Sequence, residues 1–196
     1  MRHIKQDGTN QHVIITLHGT GGSASDLFQI GHYLDPNATL IGFQGEVSER
    51  GMARYFARHQ DGSFDLRSLA QATYDLHESL EEVINKYGFN HHQITLLGYS
   101  NGANLAINYL KEFENIPVDV ALLYHPSAGR SDVEFKKQDG LKVLITSGAN
   151  DPYISIEAFN ELQALLLNAG IDVKTYHHDF GHQLIQEELE ASKELL

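Results

Sequence analysis

The sequence predicts an α/β fold, a mostly parallel central sheet with helices on both faces. Three observations predict it. The short apolar runs Val13–Leu17, Thr39–Ile41, Ile94–Leu97, Val118–Tyr124 and Val143–Thr146 are nearly continuous in Val, Ile and Leu, as in strands covered on both faces. Between them lie stretches whose apolar residues recur every three or four positions, the spacing of one helix face. The two kinds of segment alternate, which calls for crossover helices between parallel strands. A chain of 196 residues makes one such domain and buries roughly 70% of its unfolded surface.

Taken in order, Val13–Leu17 is the first strand and Thr39–Ile41 the second. Gly42 to Asp65 then holds four glycines and no clear strand. Connections of that length are usually functional or disordered, and its aromatics Phe43, Tyr55, Phe56 and Phe64 argue against disorder. Leu66–Lys86 is a helix that stops at Gly88, placed as a C′ glycine. After the strand Ile94–Leu97, a helix covers Ala103–Phe113 and ends before Pro117. Strands Val118–Tyr124 and Val143–Thr146 follow, then a helix Ile156–Leu167 ending at Asn168 and Gly170. A sixth, more alternating strand, Ile171–Tyr176, precedes a final helical stretch, His182–Leu196. No internal repeat, low-complexity tract or linker interrupts the pattern.

Hydrophobic residues are 41% and charged residues 20% of the chain, which excludes fibrous and disordered classes. A formal net charge of −12 argues against nucleic acid and anionic membranes as partners. A small anionic substrate needs only one local arginine. With no cysteine, there is no disulfide, thiol nucleophile or thiolate metal site. The start of the chain lacks the apolar core of a signal peptide, and no run approaches the ~18 apolar residues of a membrane helix. A cytoplasmic location is therefore expected, and the sequon Asn37-Ala38-Thr39 is without consequence there.

Gly98-Tyr99-Ser100-Asn101-Gly102 fits Gly-x-Ser-x-Gly and joins a strand directly to a helix. In that context the serine sits on a strained turn, its Oγ lifted beyond the carboxyl edge of the sheet, with free N–H groups of the first helical turn beside it. A serine hydroxyl is a weak nucleophile that needs a base, and the base needs an orienting acid. Downstream, Asp151 follows the strand Val143–Thr146 within Gly148-Ala149-Asn150-Asp151-Pro152, on the side where Ser100 emerges. Asp132 and Asp179 are weaker rivals, and Asp172 opens a strand and so points to the opposite edge. His182 follows Gly181 on a loop after the last strand and is the expected base, ahead of His177 and His178. The remaining histidines, including His91-His92, are expected at the surface. Adjacent histidines in a strand face opposite ways, so neither pair suits a metal.

An oxyanion hole needs two backbone N–H donors. Asn101, after the serine, supplies one. The loop His18-Gly19-Thr20-Gly21-Gly22 supplies the other, from Thr20 in the first place and Gly21 in the second. The same loop carries Gly19-x-Gly21-x-x-Ala24, a partial dinucleotide fingerprint. The acidic residue such a site requires is missing from the end of the next strand, since Glu46 comes late.

The segments Leu17-His18-Gly19-Thr20-Gly21-Gly22, Gly98-Tyr99-Ser100-Asn101-Gly102, Gly148-x-x-Asp151-Pro152 and Gly181-His182 occur in the order seen in α/β-hydrolases. Together they resemble the small bacterial phospholipase/carboxylesterase family, related to acyl-protein thioesterases and dienelactone hydrolases. The stretch Glu49–Arg58 with Asp61-Gly62-x-Phe64-Asp65, and Tyr124-His125-Pro126 after a strand, resemble its MhqD-like hydrolase branch. The resemblance implies an α/β-hydrolase fold, a Ser100–Asp151–His182 triad and carboxylic-ester hydrolysis without metal or cofactor. One departure is Asn101-Gly102 where related esterases often carry Gln-Gly, which bears on the acyl pocket.

Only His125–Gly140 separates two strands where larger relatives insert a helical cap, so no cap and an open site are expected. Gly42–Asp65 then becomes a pocket wall. If Arg50–Arg58 is helical, Arg50, Arg54 and Arg58 share one face and could hold a substrate carboxylate; the plainer reading pairs two of them with the protein's own carboxylates. Candidate substrate contacts are Gly21, Tyr99, Met52, Arg54, Tyr55 and His125, although Met52, Tyr55 and Phe56 also suit a local core. The expected substrate is a small soluble ester. A thioester or lactone stays open as an alternative, as do a catalytically silent binding protein of the same fold and a homodimer.

Overall fold

The computed structural model describes residues 1–130 and 132–196. Its elements are β1 (His3–Gln6), β2 (His12–Leu17), α1 (Phe28–Leu34), β3 (Thr39–Phe43), β4 (Val47–Glu49), β5 (Met52–Arg54), α2 (Leu66–Tyr87), β6 (Gln93–Tyr99), α3 (Asn101–Glu112), β7 (Val120–Tyr124), β8 (Lys142–Gly148), α4 (Ile156–Asn168), β9 (Asp172–His178) and α5 (Gln186–Lys193). Seven strands form one sheet in the order β1-β3-β2-β6-β7-β8-β9. Every pairing is parallel except that of β1 with β3.

The near-continuous apolar runs are explained by burial on both faces. Val13 and Ile15 of β2 pack with α2, α3 and α4, while Ile14 between them packs with α1 and the C-terminal residues around α5. Leu96 and Leu97 of β6 divide in the same way. The helices therefore cover both faces, and the parallel strands all present their carboxyl ends at one edge, where ligands of open α/β sheets bind.

Four features differ from the sequence reading. The edge strand β1 lies outside the strands the sequence predicts, since half-buried and exposed residues alternate along it and its one strong apolar residue, Ile4, is exposed. Short α1 contains Gly31 and has no side-chain N-cap, so it lacks the usual helix signals. Gly42–Asp65 is not strandless: β4 and β5 form an antiparallel hairpin there, with Glu49 opposite Met52. Its turn uses positive φ at Arg50 (53°) and Gly51 (81°), which excludes a helix through Arg50–Arg58. The final helix starts at Gln186, which leaves His182 on a loop. Among the described residues of 125–141 there is no helix, so no cap stands over the carboxyl edge.

Candidate active site

Five neighbouring parallel strands each release one residue of the site just beyond their carboxyl ends: Thr20 after β2, Ser100 after β6, His125 after β7, Asp151 after β8 and His182 after β9. Ser100 holds φ 51° and ψ −110°, a backbone conformation costly for a residue with a Cβ. Its N–H donates to Tyr124 O on β7 at 3.0 Å, which ties the turn to the sheet. The turn is possible because Gly102 lies directly against Leu17 of β2.

Ser100 Oγ is 2.8 Å from His182 Nε2, and His182 Nδ1 is 2.6 Å from Asp151 Oδ2. The other oxygen of Asp151 accepts from the Tyr153 N–H at 2.8 Å. The His182 loop is anchored by Tyr99, whose hydroxyl donates to His182 O at 2.5 Å, and the Tyr153 ring packs edge-on to the imidazole at 4.9 Å. Burial alone would raise the Asp151 carboxyl, but hydrogen bonds from His125, His182 and the Tyr153 N–H outweigh it and hold it below the usual carboxylate range. The rivals Asp132, Asp172 and Asp179 take no part in this chain of bonds.

Among the described residues, the N–H groups of Thr20 and Asn101 have no hydrogen-bond partner, whereas Gly21 N–H donates to Ala53 O at 2.8 Å. Thr20 and Asn101 line the same cleft as Ser100, a space of about 590 Å³. The Asn101 side chain turns away to the hairpin, its Oδ1 accepting from Tyr55 N–H at 2.8 Å. Departure from Gln at this position thus fastens the pocket wall to the turn that carries Ser100.

The expected substrate contacts separate into two groups. Met52, Tyr99, Arg54 and His125 line the cleft. Arg54 is only 2% exposed, with Nη1 on Thr20 Oγ1 at 2.5 Å, Nε on Phe56 O at 3.1 Å and Glu49 at 3.3 Å. Arg58 pairs with the same Glu49 at 2.5 Å, so these two arginines serve the protein's own carboxylate. Gly21 and Tyr55 are not in that lining. Gly21 is engaged with Ala53. Tyr55 is buried, its hydroxyl donating to Phe43 O at 2.9 Å and accepting from His18 N–H at 3.0 Å. His125 borders the cleft although its side chain has no exposed surface.

The surface expectation for the other histidines is also corrected, because His12, His18, His125 and His178 are all buried. His125 Nδ1 lies 2.9 Å from Asp151 Oδ2, and its Nε2 lies 3.1 Å from Glu188 Oε1 on α5. His178 Nε2 is 3.6 Å from the same oxygen. Glu188 was not singled out from the sequence. It occupies N3 of α5, where its Oε2 accepts from Ile185 N–H at 2.8 Å, and half of a capping box is the only local sign of it. Neither grouping, His125/Asp151/His182 or His125/His178/Glu188, offers a cation a full set of lone pairs. Phe180 N–H donates to His178 Nδ1 at 3.1 Å, which leaves the proton of the neutral ring on Nε2, facing Glu188.

The description of the dienelactone hydrolase family matches residues 44–194. A protein of Bacillus subtilis (strain 168) named "Putative hydrolase MhqD" is 38% identical over 194 residues, covering 99% of this chain and 96% of the relative. The crystal structure of a Bacillus cereus carboxylesterase superposes with a TM-score of 0.93 at 38% identity, covering 99% of this chain and 92% of that one. A carboxylesterase from Mesorhizobium loti gives 0.87 at 26% identity, over 95% and 88% of the two chains. Among the described residues, no helix is long and apolar enough to cross a membrane.

Proposed function

Because the chain belongs to the dienelactone hydrolase family of the α/β-hydrolase superfamily, and is therefore a hydrolase, we propose that it cleaves small soluble carboxylic esters through an acyl-enzyme on Ser100. The observation that carries the reading is the unbroken run of hydrogen bonds from Ser100 Oγ through His182 to Asp151. Ser100 Oγ attacks the ester carbonyl while His182 Nε2 takes its proton. Asp151 holds the proton on Nδ1 and stabilises the imidazolium that forms. The amides of Thr20 and Asn101 receive the oxyanion, each worth roughly 10²–10³ in rate. The tetrahedral adduct collapses, the C–O bond to the leaving alcohol breaks, and His182 returns the proton to that alcohol. Water, deprotonated by His182, then attacks the acyl-enzyme and releases the acid and Ser100.

The carboxylesterase structures at 38% and 26% identity support an oxygen ester over a thioester. The family's own description favours one further substrate form, a lactone, which is a cyclic ester opened by the same two steps. A cleft of about 590 Å³ without a cap suits short acyl groups. The test is a panel of p-nitrophenyl esters of graded acyl length, with oxygen and thioester pairs and a lactone, for the wild type and Ser100→Ala. Turnover of short esters that vanishes in Ser100→Ala is expected. Wild-type rates in that variant would overturn the reading.

A further inference from the structure

We propose that His125 is a buried imidazolium clamped between Asp151 and Glu188, a positioning residue that fixes the Asp151 carboxylate against which His182 is oriented. His125 Nδ1 is hydrogen-bonded to Asp151 Oδ2 at 2.9 Å. Its Nε2 makes an ion-pair contact with Glu188 Oε1 at 3.1 Å, too poorly aligned for a hydrogen bond, and neither of these two buried atoms has a hydrogen-bond partner among the described residues. Ionised carboxylates only accept, and a neutral imidazole has one donor. Both contacts are attractive together only when both ring nitrogens carry protons. All three side chains are fully buried, where an unpaired charge is most costly and a like-charged pair of carboxylates would be worse. A single cation between two anions relieves both.

The other groups facing His125 do not compete for that charge. His178 on β9 lies 5.4 Å away between ring centroids, and its Nε2 lies 3.6 Å from Glu188 without a hydrogen bond. Tyr99 on β6 meets the ring edge-on at 6.1 Å and offers no charge. Burial would lower His125, but the attraction of the Glu188 and Asp151 carboxylates outweighs it and moves it upward. Both carboxyls are moved below their ordinary range.

The consequence falls on the base. His125 Nδ1 and His182 Nδ1 meet the same oxygen, Asp151 Oδ2, at 2.9 and 2.6 Å, so a charged ring at 125 pins the oxygen that orients the base. This consequence rests on the serine-hydrolase reading; the charge state of His125 does not.

Two measurements test it. In the wild type, ¹⁵N NMR of the histidine side chains should show both His125 nitrogens protonated at pH 8, and Glu188→Gln should let the ring lose its proton at lower pH. In His125→Asn, which tolerates the positive φ of 53° at this position, the ¹H resonance of the His182 Nδ1–H bonded to Asp151 should shift or be lost, with kcat lowered and KM little changed. A merely structural role would lower kcat and leave that resonance in place, and that result overturns the proposal. So does a neutral His125 at pH 8, which can be read even if His125→Asn does not fold. Activity that persists in Ser100→Ala would instead count against the triad itself and leave the NMR result standing.

Discussion

Gly102→Ala is the smallest change that should disable the site without touching a reacting group. A Cβ at 102 would lie 2.2 Å from Leu17 O and 2.5 Å from Leu17 C, and contacts under 3.0 Å are essentially never seen. Leu17 is the fully buried last residue of β2, and its backbone is held by parallel pairing on both sides. The start of α3 must therefore retreat from the strand by roughly 0.8 Å or more, a displacement of the size that costs about 10² in rate at a preorganised site. Asn101 N–H and Ser100 move with α3, whereas Thr20 stays with β2, so the two amides of the oxyanion hole separate. Overpacking of this kind costs about 2–3 kcal/mol, which for a domain of this size lowers Tm by roughly 5–10 °C. Thermal melting and kcat/KM on p-nitrophenyl acetate read both effects. A variant melting with the wild type and turning over within twofold of it would refute the close-packing argument.

Two further outcomes follow from the same geometry. Arg54→Met should lower kcat about tenfold with a smaller change in KM, because it frees the Thr20 loop and leaves Phe56 O without its buried donor; Thr20→Val, which removes only the hydroxyl Arg54 holds, should act in the same direction, and wild-type kcat in both would exclude the brace. Stability should fall on acidification. Asp151 and Glu188 titrate lower in the folded chain than their ordinary values of 3.8 and 4.5, so their contribution is complete above those values and is lost as pH falls through the folded ones. Urea midpoints between about pH 5 and pH 3 should therefore drop less in Glu188→Gln than in the wild type; an equal drop would show that Glu188 carries no such linkage.

The parts of the site that sequence reveals are local. Ser100 is flanked by Gly98 and Gly102 at a strand-to-helix junction, and Asp151 and His182 each follow a strand within a few residues, so topology alone puts all three at one edge. The support beneath them is not local. His125 and Glu188 are 63 positions apart and meet only because α5 packs back over the ends of β7 and β8. Before folding, Glu188 reads as an ordinary acid in the first turn of a helix, and His125 as a polar residue near a cleft. The hairpin β4–β5 was hidden for a different reason. Its strands are three residues each, too short for a periodic signal, and Gly51 inside the supposed helix was the clue that a tight turn stood there. Tyr55 has the composition of a substrate contact, and only the tertiary partners of its hydroxyl show that it closes the core.

The claim on which the mechanism depends is that Ser100 forms the covalent intermediate. Intact-mass analysis and peptide mapping after exposure to a fluorophosphonate test it without any assumption about substrate. One adduct per chain on the peptide bearing Ser100, absent in Ser100→Ala, is the expected result. An adduct on a different residue, or equal labelling of the Ser100→Ala chain, would contradict it.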